Sequence, residues 1–209
     1  MKILYELIVA MNQDGIIGVD QQIPWKNGED MRHFRETTTG HILIMGRKTF
    51  DSLPNSRPLK NRIHVVLTNT PERYDALYSN NASVFFARLD RLDDLIKCIN
   101  AIYPEKRAFV CGGEEIYRIL LPRCSKLHIT YIRHDIFDTT SPSRDNQNHI
   151  TRFPVPIDDI LTEFREIEST YLDYSNSCRK VVYELVSPLN NAPSYSPTKR
   201  MRSAYVSFY

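Results

Sequence analysis

Asp30 has the clearest potential for chemistry, because of the side chains that share its surroundings. The stretch 23–30 reads Ile-Pro-Trp-Lys-Asn-Gly-Glu-Asp, and its proline and glycine mark a loop that ends where a helix begins. Met31 and Phe34 follow at spacings that allow them to share a helix face with Asp30. A carboxylate among apolar side chains is costly unless something pairs with it. Asp30 is therefore either a pocket carboxylate or a first-turn charge in solvent that suits the helix dipole.

Two glycine-containing turns, each between a predicted strand and a predicted helix, could hold phosphate. Gly46 precedes 47–49, Arg-Lys-Thr, which brings two cations and a hydroxyl to a helix start. Gly112-Gly113 follows another strand, and residues without Cβ let a ligand approach the backbone. Together the turns fit a dinucleotide, with one phosphate group at each. The alternatives are a solvated basic turn at the first and an ordinary tight turn at the second.

The composition describes a globular protein of one domain. Its 209 residues are long enough to bury a sizeable core, and 42% are hydrophobic and 25% charged. A net charge of +2 gives no electrostatic case for nucleic acid or a membrane as the main partner. No apolar run has the length of a membrane span, and the N-terminus lacks the features of a signal peptide. We therefore expect a cytoplasmic, intracellular protein.

The cysteines and histidines show no pattern of metal ligands. Neither CxxC nor HExxH occurs, and the six histidines are scattered. The four cysteines are expected to be free thiols, and we predict that no metal is bound; they are Cys98, Cys111, Cys124 and Cys178.

Hydrophobic patterning predicts strands that alternate with helices. The first strand, 3–11, is apolar almost throughout, as expected of a central strand covered on both faces. Further strands are predicted at 42–45, 63–68, 83–87, 107–111, 126–133, 164–172 and 178–186, and helices at about 29–39, 47–53, 91–102 and 114–121. This order predicts an α/β fold with a mainly parallel sheet and an antiparallel hairpin at its C-terminal edge.

Three stretches fit no core element. Residues 12–26 contain two glycines and a proline and are predicted to form a long, mobile loop. Residues 139–150 are polar and are predicted to be a loop. Residues 187–209 are rich in proline, serine and basic residues, and we predict a flexible C-terminal tail.

The order of several distinctive blocks resembles that of dihydrofolate reductase. The resemblance covers about 3–138 and resumes over about 153–186; its blocks are Leu7-Ile8-Val9-Ala10, Gly15-Ile16-Ile17-Gly18, Ile23-Pro24-Trp25, Asp30, Phe34, Met45-Gly46-Arg47-Lys48-Thr49-Phe50, Arg57-Pro58-Leu59, Arg62, Gly112-Gly113, Ile116-Tyr117 and Thr130. It implies a three-layer α/β sandwich with helices on both faces of the sheet. A single domain would span 1–186, with an adenosine-binding subdomain at about 41–123 and a loop subdomain formed by the remainder.

The same resemblance implies an activity. A member of this family uses NADPH to reduce 7,8-dihydrofolate to 5,6,7,8-tetrahydrofolate, by hydride transfer from nicotinamide C4 to pterin C6 with protonation at N5. It would support one-carbon metabolism and thymidylate synthesis and would bind antifolates such as methotrexate and trimethoprim. We expect a monomer.

Residue by residue, the resemblance assigns the substrate site. Asp30 would accept hydrogen bonds from the pterin, supported by Thr130 and by Trp25 in the lid, and these three residues are the catalytic assignment. Arg62 would hold the α-carboxylate of the glutamate tail, for which a planar fork is suited. The remaining substrate-binding assignments are Ile8, Val9, Met31, Phe34, Arg35, Ser52, Arg57, Leu59, Cys111 and Tyr117.

The cofactor site follows in the same way. Ala10, Ile17 and Gly18 would meet the nicotinamide and ribose, and cations near Gly46 favour NADPH over NADH. The other cofactor-binding assignments are Arg47, Lys48, Thr49, Leu67, Thr68, Asn69, Cys111, Gly112, Gly113, Glu114, Glu115, Ile116 and Tyr117. The Gly112-Gly113 peptide bond is cis in the family, which this sequence permits.

Two departures from the family pattern stand out. Glu114 and Glu115 would repel a pyrophosphate if they turned inward, so we expect them to point outward. The Phe-Pro expected soon after Asp138-Thr139 arrives only at 153–154, and this insertion leaves the coupling to the lid open.

Two other functions stay open. One is a reductase on the same scaffold that acts on a pyrimidine precursor of riboflavin, and the other is a non-enzymatic binding protein. Asp30, Phe34 and Arg62 together argue against the first, because a clamp for a glutamate tail has no use there.

Overall fold

An eight-stranded sheet, built from strands that occur along most of the chain, forms the centre of the fold. A computed structural model describes residues 3–54, 57–134 and 149–186. The strands are β1 (Tyr5–Asn12), β2 (Ile16–Val19), β3 (Ile42–Gly46), β4 (Ile63–Leu67), β5 (Val84–Ala87), β6 (Ala108–Val110), β7 (Cys124–Ile132), β8 (Ile150–Arg152), β9 (Phe164–Tyr171) and β10 (Cys178–Leu185). The main sheet has the order β5-β4-β3-β6-β1-β7-β10-β9, and β2 and β8 form a separate antiparallel pair.

Strand directions confirm the predicted fold class. Every pairing from β5 to β7 is parallel, whereas β10 runs antiparallel to both β7 and β9. β1 lies inside the sheet between β6 and β7, as its apolar sequence predicts. In its register with β7, Ile8 lies beside His128 and Ala10 beside Thr130.

Helices cover both faces of the sheet. They are α1 (Gly28–Thr38), α2 (Arg47–Asp51), α3 (Glu72–Tyr78), α4 (Leu92–Ile102), α5 (Glu114–Leu120) and α6 (Ile157–Ile160), with single 3-10 turns at Leu89–Arg91 and Leu121–Arg123. Phe34 of α1 and Phe50 of α2 pack with Ile8 on one face. Ile96 of α4 and Leu120 of α5 pack on the other, in the larger core. No helix in the described ranges is long and apolar enough to cross a membrane.

The segment 12–26 differs from the predicted mobile loop. Its residues Ile16–Val19 form β2, which pairs with β8 from the far end of the chain. The side chain of Asn12 begins this strand by accepting the Ile16 backbone N–H at 2.9 Å. The prediction of a structureless loop was wrong because the hydrogen-bonding partner of β2 lies more than 130 residues away, where local patterning cannot indicate it.

Other boundaries also differ from the sequence prediction. α3 and α6 were not predicted, because both are short and α6 begins just after Pro156. The predicted loop at 139–150 lies outside the described residues except for its last two, of which Ile150 belongs to β8. The predicted tail, 187–209, lies outside the described residues.

Candidate active site

Asp30 is buried near the start of α1, so it is not a solvated first-turn charge. The Asn27 side chain caps this helix by accepting the backbone N–H groups of Glu29 and Asp30, both at 3.0 Å. Asp30 is only 6% exposed, and no cation in the described ranges forms an ion pair with it. Burial therefore raises the pKa of Asp30, and the Thr130 hydroxyl and the Trp25 indole only partly offset this effect.

Trp25 contributes to the surroundings of Asp30 without a formed hydrogen bond. Its indole Nε1–H is buried and has no direct partner among the described residues. The indole nevertheless lies near enough to Asp30 to lower the pKa of its carboxyl. The ring is packed with Ile132 and Cys178, which hold it at the edge of the site.

An apolar surface extends from Asp30 along α1. Ile8 is buried there, and Phe34, Leu59 and Cys111, which were assigned to the substrate site, pack against the same cluster. Leu53, which was not predicted, belongs to this surface as well. Its position in a short turn between a helix and a proline carries no periodic signal that would have indicated it.

Two assigned substrate contacts occupy different places from those expected. Met31 is 50% exposed, so it stands at the rim instead of forming an inner wall. The Val9 side chain lies in the larger core, on the opposite face of the sheet from Ile8, because successive residues of a strand point to opposite faces. Only the backbone of Val9 can meet a ligand at Asp30.

The far end of α1 carries positive charge. Arg62 donates from Nη1 to the Thr38 hydroxyl and from Nε to the Lys60 carbonyl, both at 3.1 Å. Burial lowers the pKa of Arg62, and the nearby Arg35 guanidinium lowers it further. Within the described part of the chain, neither arginine has a carboxylate partner. Arg57, also assigned here, is exposed.

The apolar surface along α1 therefore has opposite requirements at its two ends. Asp30 and Thr38 are eight residues apart on α1, which corresponds to about 12 Å along the helix axis. One end offers a buried carboxylate without a cation, and the other offers Arg35 and Arg62 without an anion. An elongated ligand with hydrogen-bond donors at one end and a carboxylate at the other satisfies both.

The two glycine turns meet at the carboxyl ends of β3 and β6. The Gly46 N–H donates to the Gly112 carbonyl at 2.8 Å, and the Gly112-Gly113 peptide bond is cis. A Cβ on Gly46 would lie 3.2 Å from the Ile116 side chain, and one on Gly113 would lie 3.2 Å from the Thr49 hydroxyl. A side chain at either position would require its neighbour to shift, and Gly112 has a φ of 132°, a conformation that favours glycine.

Cations and hydroxyls surround these turns. Arg47 extends along α2 to an ion pair with Asp51 at 2.6 Å, and Lys48 is exposed. Thr68 begins the segment after β4, where its N–H donates to the Ala87 carbonyl at 3.0 Å. Arg88 follows Ala87 at the same edge of the sheet and was not assigned from the sequence. A basic residue directly after a parallel strand was the signal for it.

The chemistry of this donor set fits a phosphorylated dinucleotide. Backbone N–H groups, two hydroxyls and three basic side chains converge on one edge, and the glycines keep space for the ligand. Glu114 forms an ion pair with Arg118 on the next turn of α5, which draws its carboxylate along the helix. Glu115 is exposed. Leu67 has its side chain in the larger core, so only its backbone can contribute.

The remaining assigned residues belong to elements near the surroundings of Asp30 or near the two glycine turns. Tyr117 is buried and its hydroxyl donates to the Ile8 carbonyl at 2.9 Å, which joins α5 to β1. The Ser52 hydroxyl donates to the Thr49 carbonyl at 2.8 Å. Ile17 and Gly18 lie on β2, which packs beside β1 near Ala10. Asn69 follows Thr68 after β4.

The segment 12–26, which corresponds to the lid, is held by several contacts with the residues that follow the insertion. The Arg152 guanidinium donates to the Asp14 carbonyl at 2.7 Å, and the Phe153 N–H donates to the Gly15 carbonyl at 2.8 Å. The Phe153 ring lies 5.4 Å from that of Tyr117. Residues 149–153 thus connect β2 to the interior of the site, whereas Asp138-Thr139 lie outside the described residues.

Comparison with known proteins identifies the family. A family model described as dihydrofolate reductase matches residues 4–158. The dihydrofolate reductase of Mycobacterium leprae is 37% identical over 145 residues, which cover 67% of this chain and 81% of the relative. This chain belongs to the dihydrofolate reductase family. The Bacillus subtilis dihydrofolate reductase is 34% identical over 146 residues, which cover 69% of this chain and 79% of the relative.

Longer relatives and a solved structure agree with this assignment. A bifunctional dihydrofolate reductase-thymidylate synthase of Daucus carota is 34% identical over 206 residues, 92% of this chain. The chain spans about a third of such bifunctional relatives: 37% of this one and 31% of that of Paramecium tetraurelia. Dihydrofolate reductase from Enterococcus faecalis, complexed with NADP(H) and RAB-propyl, superposes with a TM-score of 0.62 at 23% identity, covering 88% of this chain and 97% of that one. That likeness supports the fold.

Proposed function

We propose that this chain catalyses the NADPH-dependent reduction of 7,8-dihydrofolate to 5,6,7,8-tetrahydrofolate. The observation that carries the proposal is the apolar surface along α1: among the described residues, Asp30 has no cationic partner at one end, and Arg35 and Arg62 have no anionic partner at the other. Dihydrofolate has an amino-pyrimidine head and a glutamate tail, and it satisfies both ends at once. Family membership supports the same substrate.

Asp30 orients the pterin head. Its carboxylate accepts hydrogen bonds from the 2-amino group and N3–H, and charge-assisted bonds of this kind are stronger than neutral ones. The Thr130 hydroxyl keeps the carboxylate in place. Ile8 and Phe34 pack against the ring system and exclude water from it.

Arg62 holds the other end of the substrate. Thr38 and the Lys60 carbonyl fix its guanidinium, so its planar fork is set for the α-carboxylate of the glutamate before binding. Arg35 adds positive charge beside it.

The cofactor site is completed by the residues around the glycine turns. When bound there, NADPH supplies the hydride that passes from nicotinamide C4 to pterin C6. Arg47, Lys48 and Arg88 neutralise its phosphates, and the backbone of Gly112 and Gly113 lets it approach closely. Ala10 and Gly18, which are small residues, would meet the nicotinamide and its ribose.

The proton for N5 comes from water in this proposal. Asp30 binds the pyrimidine edge of the pterin, which is remote from N5, so it does not deliver the proton directly. A water molecule admitted beside Trp25 and the segment that follows β2 reaches N5 instead. The product would supply one-carbon metabolism and thymidylate synthesis, and antifolates that imitate the pterin head would compete for Asp30.

Loss of NADPH absorbance with dihydrofolate present tests the function. We expect turnover with dihydrofolate and inhibition by methotrexate. Dihydropteroate, which lacks the glutamate, should keep the turnover number while its KM rises roughly 10- to 100-fold, the effect of losing a charge-assisted bond. Oxidation of NADPH by a riboflavin-precursor pyrimidine in place of dihydrofolate, or by neither, would reject the proposal.

A further inference from the structure

His64 of β4 is fully buried at 0% exposure and has no role in the site described above. Its ring lies against Phe50, with centroids 6.1 Å apart in an edge-on arrangement. Its Nε2 accepts the backbone N–H of Leu59 at 3.1 Å. This bond runs from the core of the sheet to the segment 57–62, which we name the clamp loop because it carries Arg57, Leu59 and Arg62.

The hydrogen bond fixes the protonation state of the ring. Because Nε2 accepts from an N–H group, the single proton of the neutral ring is on Nδ1. Burial lowers the pKa of His64 to about 4; the charge of Arg62 adds to this effect, and the backbone groups of Ser83 and Arg62 act against it. Nδ1 itself is buried and has no direct hydrogen-bond partner among the described residues. The ring therefore keeps one unsatisfied polar atom while its other nitrogen holds the clamp loop.

Among the described residues, the other hydrogen bonds of this loop involve the Arg62 side chain, which donates to Lys60 and Thr38, and the two ends of the loop. The Arg57 N–H donates to the Pro54 carbonyl at 3.3 Å, and the Gly40 N–H donates to the Asn61 carbonyl at 2.7 Å. Asn61 has a positive φ of 58°, so the chain reverses there. Residue 58 is a proline and has no N–H to donate. In the middle of the loop, the His64 ring is thus the acceptor that connects the backbone to the core.

We propose that His64 is a positioning residue, whose neutral ring holds the Leu59 backbone and so presets the clamp loop for the substrate. Leu59 then presents its side chain to the apolar surface, and Arg62 meets the substrate carboxylate without further ordering. This inference rests on the proposed function for the roles of Leu59 and Arg62. Preorganised loops strengthen binding chiefly by lowering the ordering cost.

Two variants separate the hydrogen bond from the packing. In His64→Gln, the side-chain Oε1 reaches about where Nε2 lies and remains an acceptor, whereas His64→Leu fills a similar volume without one. For His64→Leu we expect the KM for dihydrofolate to rise about 5- to 20-fold, with kcat and the Kd for NADPH within about 2-fold of wild type. His64→Gln should restore the KM to within about 3-fold of wild type.

Amide hydrogen exchange provides a readout that does not require activity. In the ligand-free protein, exchange at Leu59 should be about 10-fold faster in His64→Leu than in His64→Gln, because only the latter retains the acceptor. If wild type does not turn over dihydrofolate, the proposed function fails. The exchange comparison still tests whether the His64 ring holds the Leu59 backbone.

The inference is overturned if Leu59 exchanges equally in both variants and wild type. It is also overturned if His64→Leu and His64→Gln raise the dihydrofolate KM, the NADPH Kd and the fraction unfolded to the same extent, since the ring would then act only through packing.

Discussion

Asp30, which is buried, and Glu6, which is half-buried, are two carboxylates on the same side of the sheet, and their surroundings differ. Glu6 lies on β1 on the same face of the sheet as Ile8, with 15% of its side chain exposed. Its carboxylate is 2.6 Å from His128 Nε2 and 3.3 Å from the Arg107 guanidinium. Asp30 has the Thr130 hydroxyl and the Trp25 indole nearby, and no cation of the described ranges forms an ion pair with it.

The pKa shifts of the two groups have opposite signs. Burial raises the pKa of both carboxyls. For Glu6 the hydrogen bond with His128 and the charge of Arg107 outweigh burial, and its pKa is lowered. For Asp30 burial dominates, and its pKa is raised. Burial alone therefore does not identify the functional acid; the acid that the fold leaves without a cation is the one available to a ligand.

The largest effect is expected for Asp30→Asn. At pH 7 this change should lower kcat/KM for dihydrofolate by about 10²–10³, because the carboxylate that binds and orients the pterin is lost. The same change should raise the free energy of unfolding by about 1 kcal/mol, since an ionised carboxylate no longer has to be buried. Turnover assays and urea unfolding measure the two quantities. A rate near that of wild type at pH 7 would remove Asp30 from the mechanism.

Glu6→Gln should lower the stability of the fold and leave turnover nearly unchanged, the reverse of what we expect for Asp30→Asn. We expect a loss of about 1–2 kcal/mol in the free energy of unfolding, because His128 and Arg107 lose their shared anion. Turnover should stay within about 2-fold of wild type, which makes this variant the matched control for Asp30→Asn. Unchanged stability in urea would show that the ion pair contributes nothing to the fold.

The free energy of unfolding, measured against pH, should distinguish Asp30 from Glu6. The folded-state pKa of Asp30 is raised above its ordinary 3.8, so its burial cost is absent below that pH and complete once the pH exceeds the folded value. The gain from Asp30→Asn should appear as the pH rises through this window. The folded-state pKa of Glu6 is lowered below 4.5, so the loss caused by Glu6→Gln is complete above 4.5 and fades as the pH falls through the folded value. Urea unfolding from pH 3 to pH 7 would contradict this scheme if the two differences had the same sign.

The smallest effect concerns Glu114, a third and half-exposed acid. Arg118→Met should weaken NADPH binding about 3- to 5-fold at low ionic strength, because Glu114 would lose the partner that draws it along α5. Glu114→Gln should strengthen binding about 2-fold, and the double variant should resemble Glu114→Gln. Fluorescence titration with NADPH measures these values. Equal affinities for Arg118→Met and wild type would show that Glu114 lies beyond the reach of the phosphates.

Sequence patterning predicted what is encoded locally. The apolar run of β1 and the helical period of α4 follow from nearby residues. The residues around Asp30 left its burial open, and only the resemblance to dihydrofolate reductase assigned it to a pocket. Successive side chains of a strand point to opposite faces of the sheet. The placement of the Val9 and Leu67 side chains in the larger core could therefore also have been predicted.

Long-range pairing could not be predicted from the same patterns. Glu6 and His128 meet across 122 residues, and β2 and β8 pair across a similar separation. Nothing in the apolar run around Glu6 indicates which strand will lie beside it. The role of His64 was hidden for a related reason, because a histidine in an apolar strand is equally compatible with simple packing.

The direction and place of β10 have a mechanical consequence. It is the last described strand, and it lies between β7 and β9 instead of at the border of the sheet. A force applied to whatever follows residue 186 is thus transmitted to an interior strand and resisted by two ladders of hydrogen bonds at once. A polypeptide joined at this end would therefore pull on an interior strand of the fold, which is held on both sides.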